Sequence, residues 1–193
     1  GKTNTVPRNG DTLTISGDPS SSCKNDIANL MPYQLKLSGY QTQSSSSEAI
    51  VFDASKCYGI YNTGYLHYDL PTKFIGTNVT LYSSSEMVCR NWFATGDGRP
   101  CGVRKIGTGN FHLNCTDGTV TSAANFDGFK YIEIVEGGLG LGFNGSSKVA
   151  TCLPVGLVVT FAAAYSGKSM NLTLLNLSTI YNVASWFWSS SLV

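Results

Sequence analysis

The chain has 193 residues, a formal net charge of +1, 42% hydrophobic residues and only 13% charged ones. The charged share is about half the roughly 25% usual for globular proteins, and Ser, Thr, Asn and Gly supply the polarity instead. This composition lacks the basic stripe of a nucleic-acid binder. Its most apolar run, residues 153–165, is too short to span a bilayer as a helix.

Strand-like segments recur along the chain, separated by Gly, Asn, Asp, Ser and Pro. Thr12 to Ile15 alternates, as does Tyr33 to Leu37, and Ala49 to Phe52 is apolar. Lys73 to Ile75 and Asn78 to Tyr82 flank Gly76. Asn110 to Cys115 alternates around His112. Phe129 to Val135, Val155 to Tyr165, Met170 to Leu175 and Tyr181 to Trp188 complete the series. One short helical turn is expected over Asn25 to Met31, with Asp26 as its N-cap. Short alternating strands with turn signals every 8–12 residues predict a single all-β domain over residues 1–193, a sandwich or barrel. No internal repeat is apparent.

The six cysteines, Cys23, Cys57, Cys89, Cys101, Cys115 and Cys152, form no CxxC pair. An even count at wide spacing in a low-charge chain reads as three disulfides in an oxidising compartment. Fifteen pairings are open. The sequential one, Cys23–Cys57, Cys89–Cys101 and Cys115–Cys152, is expected, with the middle bridge closing a short loop. No signal peptide is visible, and one is taken to have been removed.

Motifs for catalysis are thin, and no enzymatic activity is expected. No GxSxG elbow occurs, and in Gly17-Asp18-Pro19-Ser20 a proline stands where an esterase serine belongs. Gly167-Lys168-Ser169 resembles the end of a P-loop, but Ala162 stands where its first glycine is required. Gly140-Leu141-Gly142-Phe143-Asn144-Gly145 matches GxGxxG without a following helix, so a glycine-rich strand is the better reading. No cofactor is expected. His67, Asp69 and His112 offer an N/O set for a metal if two strands converge. Ordinary surface or packed histidines are the simpler reading. Asn78, Asn114, Asn144, Asn171 and Asn176 each begin an N-x-S/T triplet, little above chance for so Ser/Thr-rich a chain.

Sugars are held by amides, carboxylates and guanidinium groups with a ring beneath the apolar face, and rings supply area at low entropic cost. Three segments offer this mixture. The first is the 89–101 loop, with Asn91, Trp92, Asp97 and Arg99. The second is the tyrosine-rich turn with Tyr61, Asn62 and Tyr65. The third is the turn at Asn125 and Asp127. A disulfide across the first would pre-organise it for binding.

The Gly1-Lys2-Thr3-Asn4-Thr5 start, the low charge, the cysteines and the Tyr61-Asn62-Thr63-Gly64-Tyr65 run resemble the N-terminal lectin domain of bacterial chaperone–usher fimbrial tip adhesins, loosely its F17-like branch. The resemblance implies an elongated immunoglobulin-like β-sandwich with disulfides at a pilus tip. It also implies attachment to a host glycan or glycoprotein receptor, and a C-terminal pilin domain. A viral or eukaryotic receptor-binding domain, suggested by the N-x-S/T triplets, and a secreted hydrolase are the alternatives. Neither nucleic-acid binding nor membrane insertion is expected.

Overall fold

The computed structural model describes residues 5–16, 22–39, 42–43, 48–68, 70–89, 92–94, 99–116, 129–144, 157–162 and 170–175. Every strand pairing among the described residues is parallel. The chain winds as a β-solenoid, and successive coils lay their strands on the same faces. The first face stacks seven strands: β1 (Thr12–Ser16), β3 (Gln34–Ser38), β6 (Gly59–Asn62), β9 (Val79–Ser83), β12 (Cys101–Ile106), β14 (Phe129–Ile134) and β16 (Val158–Phe161). The second carries β2 (Ser22–Cys23) beside β4 (Thr42–Gln43). Further along it, β7 (Leu66–Tyr68), β10 (Met87–Cys89), β13 (Asn110–Thr116), β15 (Gly137–Asn144) and β17 (Met170–Leu175) form one sheet. The third carries β5 (Ile50–Asp53), β8 (Thr72–Ile75) and β11 (Trp92–Ala94).

The core consists of columns of side chains running from coil to coil. On the first face Leu13, Leu35, Ile60, Leu81, Lys105, Ile134 and Phe161 stand in register. A second column joins Val79, Val103, Ile132 and Val159, all 7% exposed or less. The third face contributes Phe52 over Phe74, with ring centroids 6.2 Å apart, and Phe74 meets Phe129 at 5.6 Å. Met87, Phe111 and Leu139 form the column of the second face. At about 25 cal/mol per Å² of apolar area, each buried Phe, Leu or Ile contributes roughly 1.5–3 kcal/mol.

Two of the buried polar groups bear on how the coils stack. Asn62 is fully buried at the corner between the first and second faces. Its amide donates to Ser83 Oγ at 3.0 Å, and its carbonyl accepts from the Gly64 N–H at 3.3 Å. Lys105, also fully buried, occupies an otherwise apolar column. Its Nζ donates to the carbonyl oxygens of Gly107 and Glu136, which belong to this corner in successive coils. Residue 137 must be glycine beside it. Its φ is +79°, and a Cβ there would lie 2.8 Å from Lys105 Nζ and 2.4 Å from the Gly109 carbonyl.

The immunoglobulin-like sandwich is therefore overturned, since that fold is built from antiparallel sheets. The alternation and turn spacing used to infer it are equally those of a solenoid. The repeat escapes notice because the first-face strands start at 12, 34, 59, 79, 101, 129 and 158, spacings of 22, 25, 20, 22, 28 and 29. The expected helical turn is instead a bend in which the Asn25 side chain, not Asp26, bonds Ile27 N–H and the carbonyls of Ile27 and Glu48.

The disulfide framework is corrected too. Among the described residues, Cys57, Cys89 and Cys101 are thiols, so neither Cys23–Cys57 nor Cys89–Cys101 forms. Segment 89–101 is no short stapled loop. It runs from the second face through β11 on the third to the first, and both end cysteines pack into the core. Burial pushes the Cys57 thiol up. In Cys115–Cys152, Cys152 lies outside the described residues and Cys115 is described as β13 backbone.

Two outcomes follow. Unfolding without reductant and alkylating is expected to label Cys57, Cys89 and Cys101; a cross-linked Cys89–Cys101 peptide in the mass spectrum would contradict this. For Lys105, burial holds the ammonium at about 8, below its ordinary 10.5. Between those values the unfolded chain keeps a proton that the folded chain has lost. The cost of burying the charge is therefore fully present below pH 8 and is relieved as pH rises towards 10.5. The urea-unfolding free energy of the wild type, minus that of Lys105→Met, is expected to rise across this window, by on the order of 3 kcal/mol at most. A flat difference would show that the ammonium is not desolvated.

Candidate functional site

Where the chain turns from the third face onto the first, an open groove of about 590 Å³ is lined by Thr77, Asn78, Pro100, Tyr131, Ile132, Glu133, Val158 and Thr160. Its shape follows from a β-bulge. Cys101 pairs with Phe129 but Gly102 pairs with Tyr131, so Lys130 is the extra residue. Phe129 points into the core with Cys101, and the bulge reverses the phase beyond it. Ile132 and Ile134 then point inward, leaving Tyr131 and Glu133 facing out. Without it Tyr131 would enter the core. Gly102 makes the close approach possible, since a Cβ there would fall 2.0 Å from the Tyr131 carbonyl oxygen.

The groove holds one ring and a set of hydrogen-bonding groups. Tyr131 is 40% exposed and Val158 39%, an apolar floor open to solvent. Glu133 Oε2 accepts from Arg104 Nε at 3.0 Å, and both side chains keep solvent access. Such an exposed pair adds little to stability, about 0–1 kcal/mol, but it orients a carboxylate and a guanidinium side by side. Register places Thr80, Arg104, Glu133 and Thr160 in one outward row. Asn78 is exposed at the rim. Glu133 is the one carboxylate among the described residues lining this groove.

A second hollow of about 240 Å³ lies on the same corner, lined by Asp53, Ala54, Ser55, Phe74, Ile75, Gly76, Arg99 and Pro100. The Asp53 carboxylate accepts from the Ser55 N–H at 2.9 Å and its hydroxyl at 2.6 Å. Those bonds hold its pKa low, with Lys56 at 3.4 Å assisting.

Of the residues proposed from sequence, Arg99 is exposed and lines this second hollow. Tyr61 lies flat on Tyr82 on the outer side of the first face, with ring centroids 4.4 Å apart and planes 8° apart. Register puts Lys36 next to Tyr61. Burial, then the neighbouring Tyr61, Tyr82 and Tyr33, push the Tyr58 phenol up. Tyr65 is 48% exposed beyond β6. Asn62 is corrected: it is a buried corner group and presents nothing to a ligand. Trp92 is on β11, described as backbone. Asn91, Asp97, Asn125 and Asp127 lie outside the described residues.

For the metal set, register places His67 and His112 in one row of the second face with Val88 between them. Asp69 lies outside the described residues. His112 stands 3.9 Å from Glu86, and burial keeps its imidazole below the usual range against the pull of that carboxylate. No cluster of three metal-ligating side chains forms among the described residues.

Tyr131, Glu133, Arg104 and Thr160 were missed as site residues. For Tyr131 and Glu133 the signal is a phase slip in Phe129-Lys130-Tyr131-Ile132-Glu133-Ile134, whose apolar residues change parity at the bulge. Comparison of the chain with protein-family models, curated proteins and solved structures finds no match.

Proposed function

We propose that this solenoid is a carbohydrate-binding module that holds a glycan in the corner groove without transforming it. The observation that carries the reading is the half-exposed Tyr131 ring beside the Glu133–Arg104 pair, with Asn78 and Thr160 at hand. A pyranose has an apolar face that stacks on a ring and a rim of hydroxyls that both donate and accept. Glu133 accepts, Arg104 donates, and the amide of Asn78 and the hydroxyl of Thr160 can act with either. Because the strands that carry these groups are pinned by coil stacking, little is lost in ordering them on binding. Such a site is shallow, and surface attachment would draw its strength from many copies acting together.

Cys57, Cys89 and Cys101 as thiols withdraw the Cys23–Cys57 and Cys89–Cys101 bridges from the support for an oxidising compartment. Binding to a surface glycan therefore rests on the groove alone, and the sandwich-based picture of a fimbrial tip lectin is not carried forward.

A broad glycan array is expected to give saturable binding to a restricted set of glycans. Tyr131→Ala should weaken it by about tenfold or more, equivalent to the roughly 1.4 kcal/mol of one ring contact. Folded protein that binds no glycan, or a Tyr131→Ala variant that binds as well as wild type, would dismiss the reading.

A further inference from the structure

The two hollows on the corner between the third and first faces are neighbours. Gly76 lines one and Thr77 the other, and Pro100 lines both. They thus meet across the 75–78 and 99–100 turns. Their lining residues come from successive coils: Asp53 to Ser55 ahead of β6, Gly76 to Asn78 ahead of β9, Arg99 and Pro100 ahead of β12, Tyr131 and Glu133 within β14, Val158 and Thr160 within β16. From β6 to β16 there are four strand-to-strand steps on the first face. At about 4.8 Å per step the lined corner runs for roughly 19 Å along the solenoid axis.

From this we infer that the ligand is a linear oligosaccharide lying parallel to the solenoid axis, occupying several coils at once rather than one pocket. The inference rests on the carbohydrate-binding reading and adds the shape and length of the ligand. A single sugar fills one step of the corner. Only a chain of linked rings reaches from Tyr131 across Pro100 to Ser55. The chemistry changes along the way. At the Tyr131 end lie a ring and the carboxylate–guanidinium pair. At the other end Arg99 and the Ser55 side of the Asp53 turn border a smaller hollow above Phe74. A polymer with a direction would therefore bind in one orientation.

The test uses the full chain and four size-graded probe series, from disaccharide to octasaccharide: β-1,4-glucan, β-1,4-linked N-acetylglucosamine, α-1,4-glucan and α-1,4-galacturonan. Affinities are read by calorimetry. In the series that binds, affinity should rise about tenfold or more from disaccharide to hexasaccharide and then level off. Ser55→Trp, which narrows the far hollow, should cancel that gain and leave the hexasaccharide no tighter than the disaccharide. Saturable binding that does not change with length, or a gain with length that Ser55→Trp leaves intact, overturns the inference and leaves the carbohydrate-binding reading standing. No binding in any of the four series, with a glycan hit on the array, likewise overturns the inference alone; no binding in either experiment overturns both.

Discussion

Hydrogen bonding between parallel strands of successive coils is the constraint on which everything else depends. Each coil closes its backbone polar groups against the next, so a residue's partners are one coil away rather than on an adjacent hairpin strand. Parallel register puts like positions together: Leu35 over Ile60 over Leu81, Phe52 over Phe74, Asn62 beside Ser83. An inward column therefore tolerates a polar residue only if the corner can satisfy it. Asn62 meets that condition through Ser83 and Gly64, and Lys105 through two corner carbonyls. A half-satisfied polar group in either place would cost more than an apolar one.

The same stacking explains how a site arises on an otherwise plain sheet. In a regular solenoid the outward residues of one coil repeat over those of the next, giving a flat face. The bulge between β12 and β14 breaks that regularity at one rung. It turns Tyr131 and Glu133 outward and brings Glu133 into the row of Arg104. Gly102 admits the close backbone approach that the bulge needs. The groove is thus a local departure from the fold's own rule, held in place by intact rungs above and below it.

Much of the secondary structure was legible in the sequence. The alternation in Thr12 to Ile15, Tyr33 to Leu37 and Asn110 to Cys115, and the strand-like run Phe129 to Val135, follow strands that the structure contains. The architecture was not, because alternation reports which residues face a core and carries no information on whether the neighbour is parallel or antiparallel. Coil lengths that vary, together with three-residue strands such as β7, β10 and β11, hide the repeat. The tyrosine-rich run with Tyr61, Asn62 and Tyr65 reads as a turn, yet Gly59–Asn62 is strand β6 and Asn62 is spent on an internal corner. The site was only partly visible. Arg99 and the tyrosines drew attention by type, whereas Tyr131 and Glu133 were hidden by a one-residue phase slip that gains meaning only beside Gly102.

The central claim is that chain order is also spatial order along one axis. Paired spin labels on the outward row of the first face test it directly, through distances measured by pulsed electron paramagnetic resonance. Thr12 is three, five and six strand steps from Thr80, Glu133 and Thr160. The backbone separations predicted are roughly 14, 24 and 29 Å at about 4.8 Å per step. Distances that grow in this order support the solenoid. A Thr12–Thr160 distance shorter than Thr12–Thr80 would mean that the chain folds back on itself, and would contradict it.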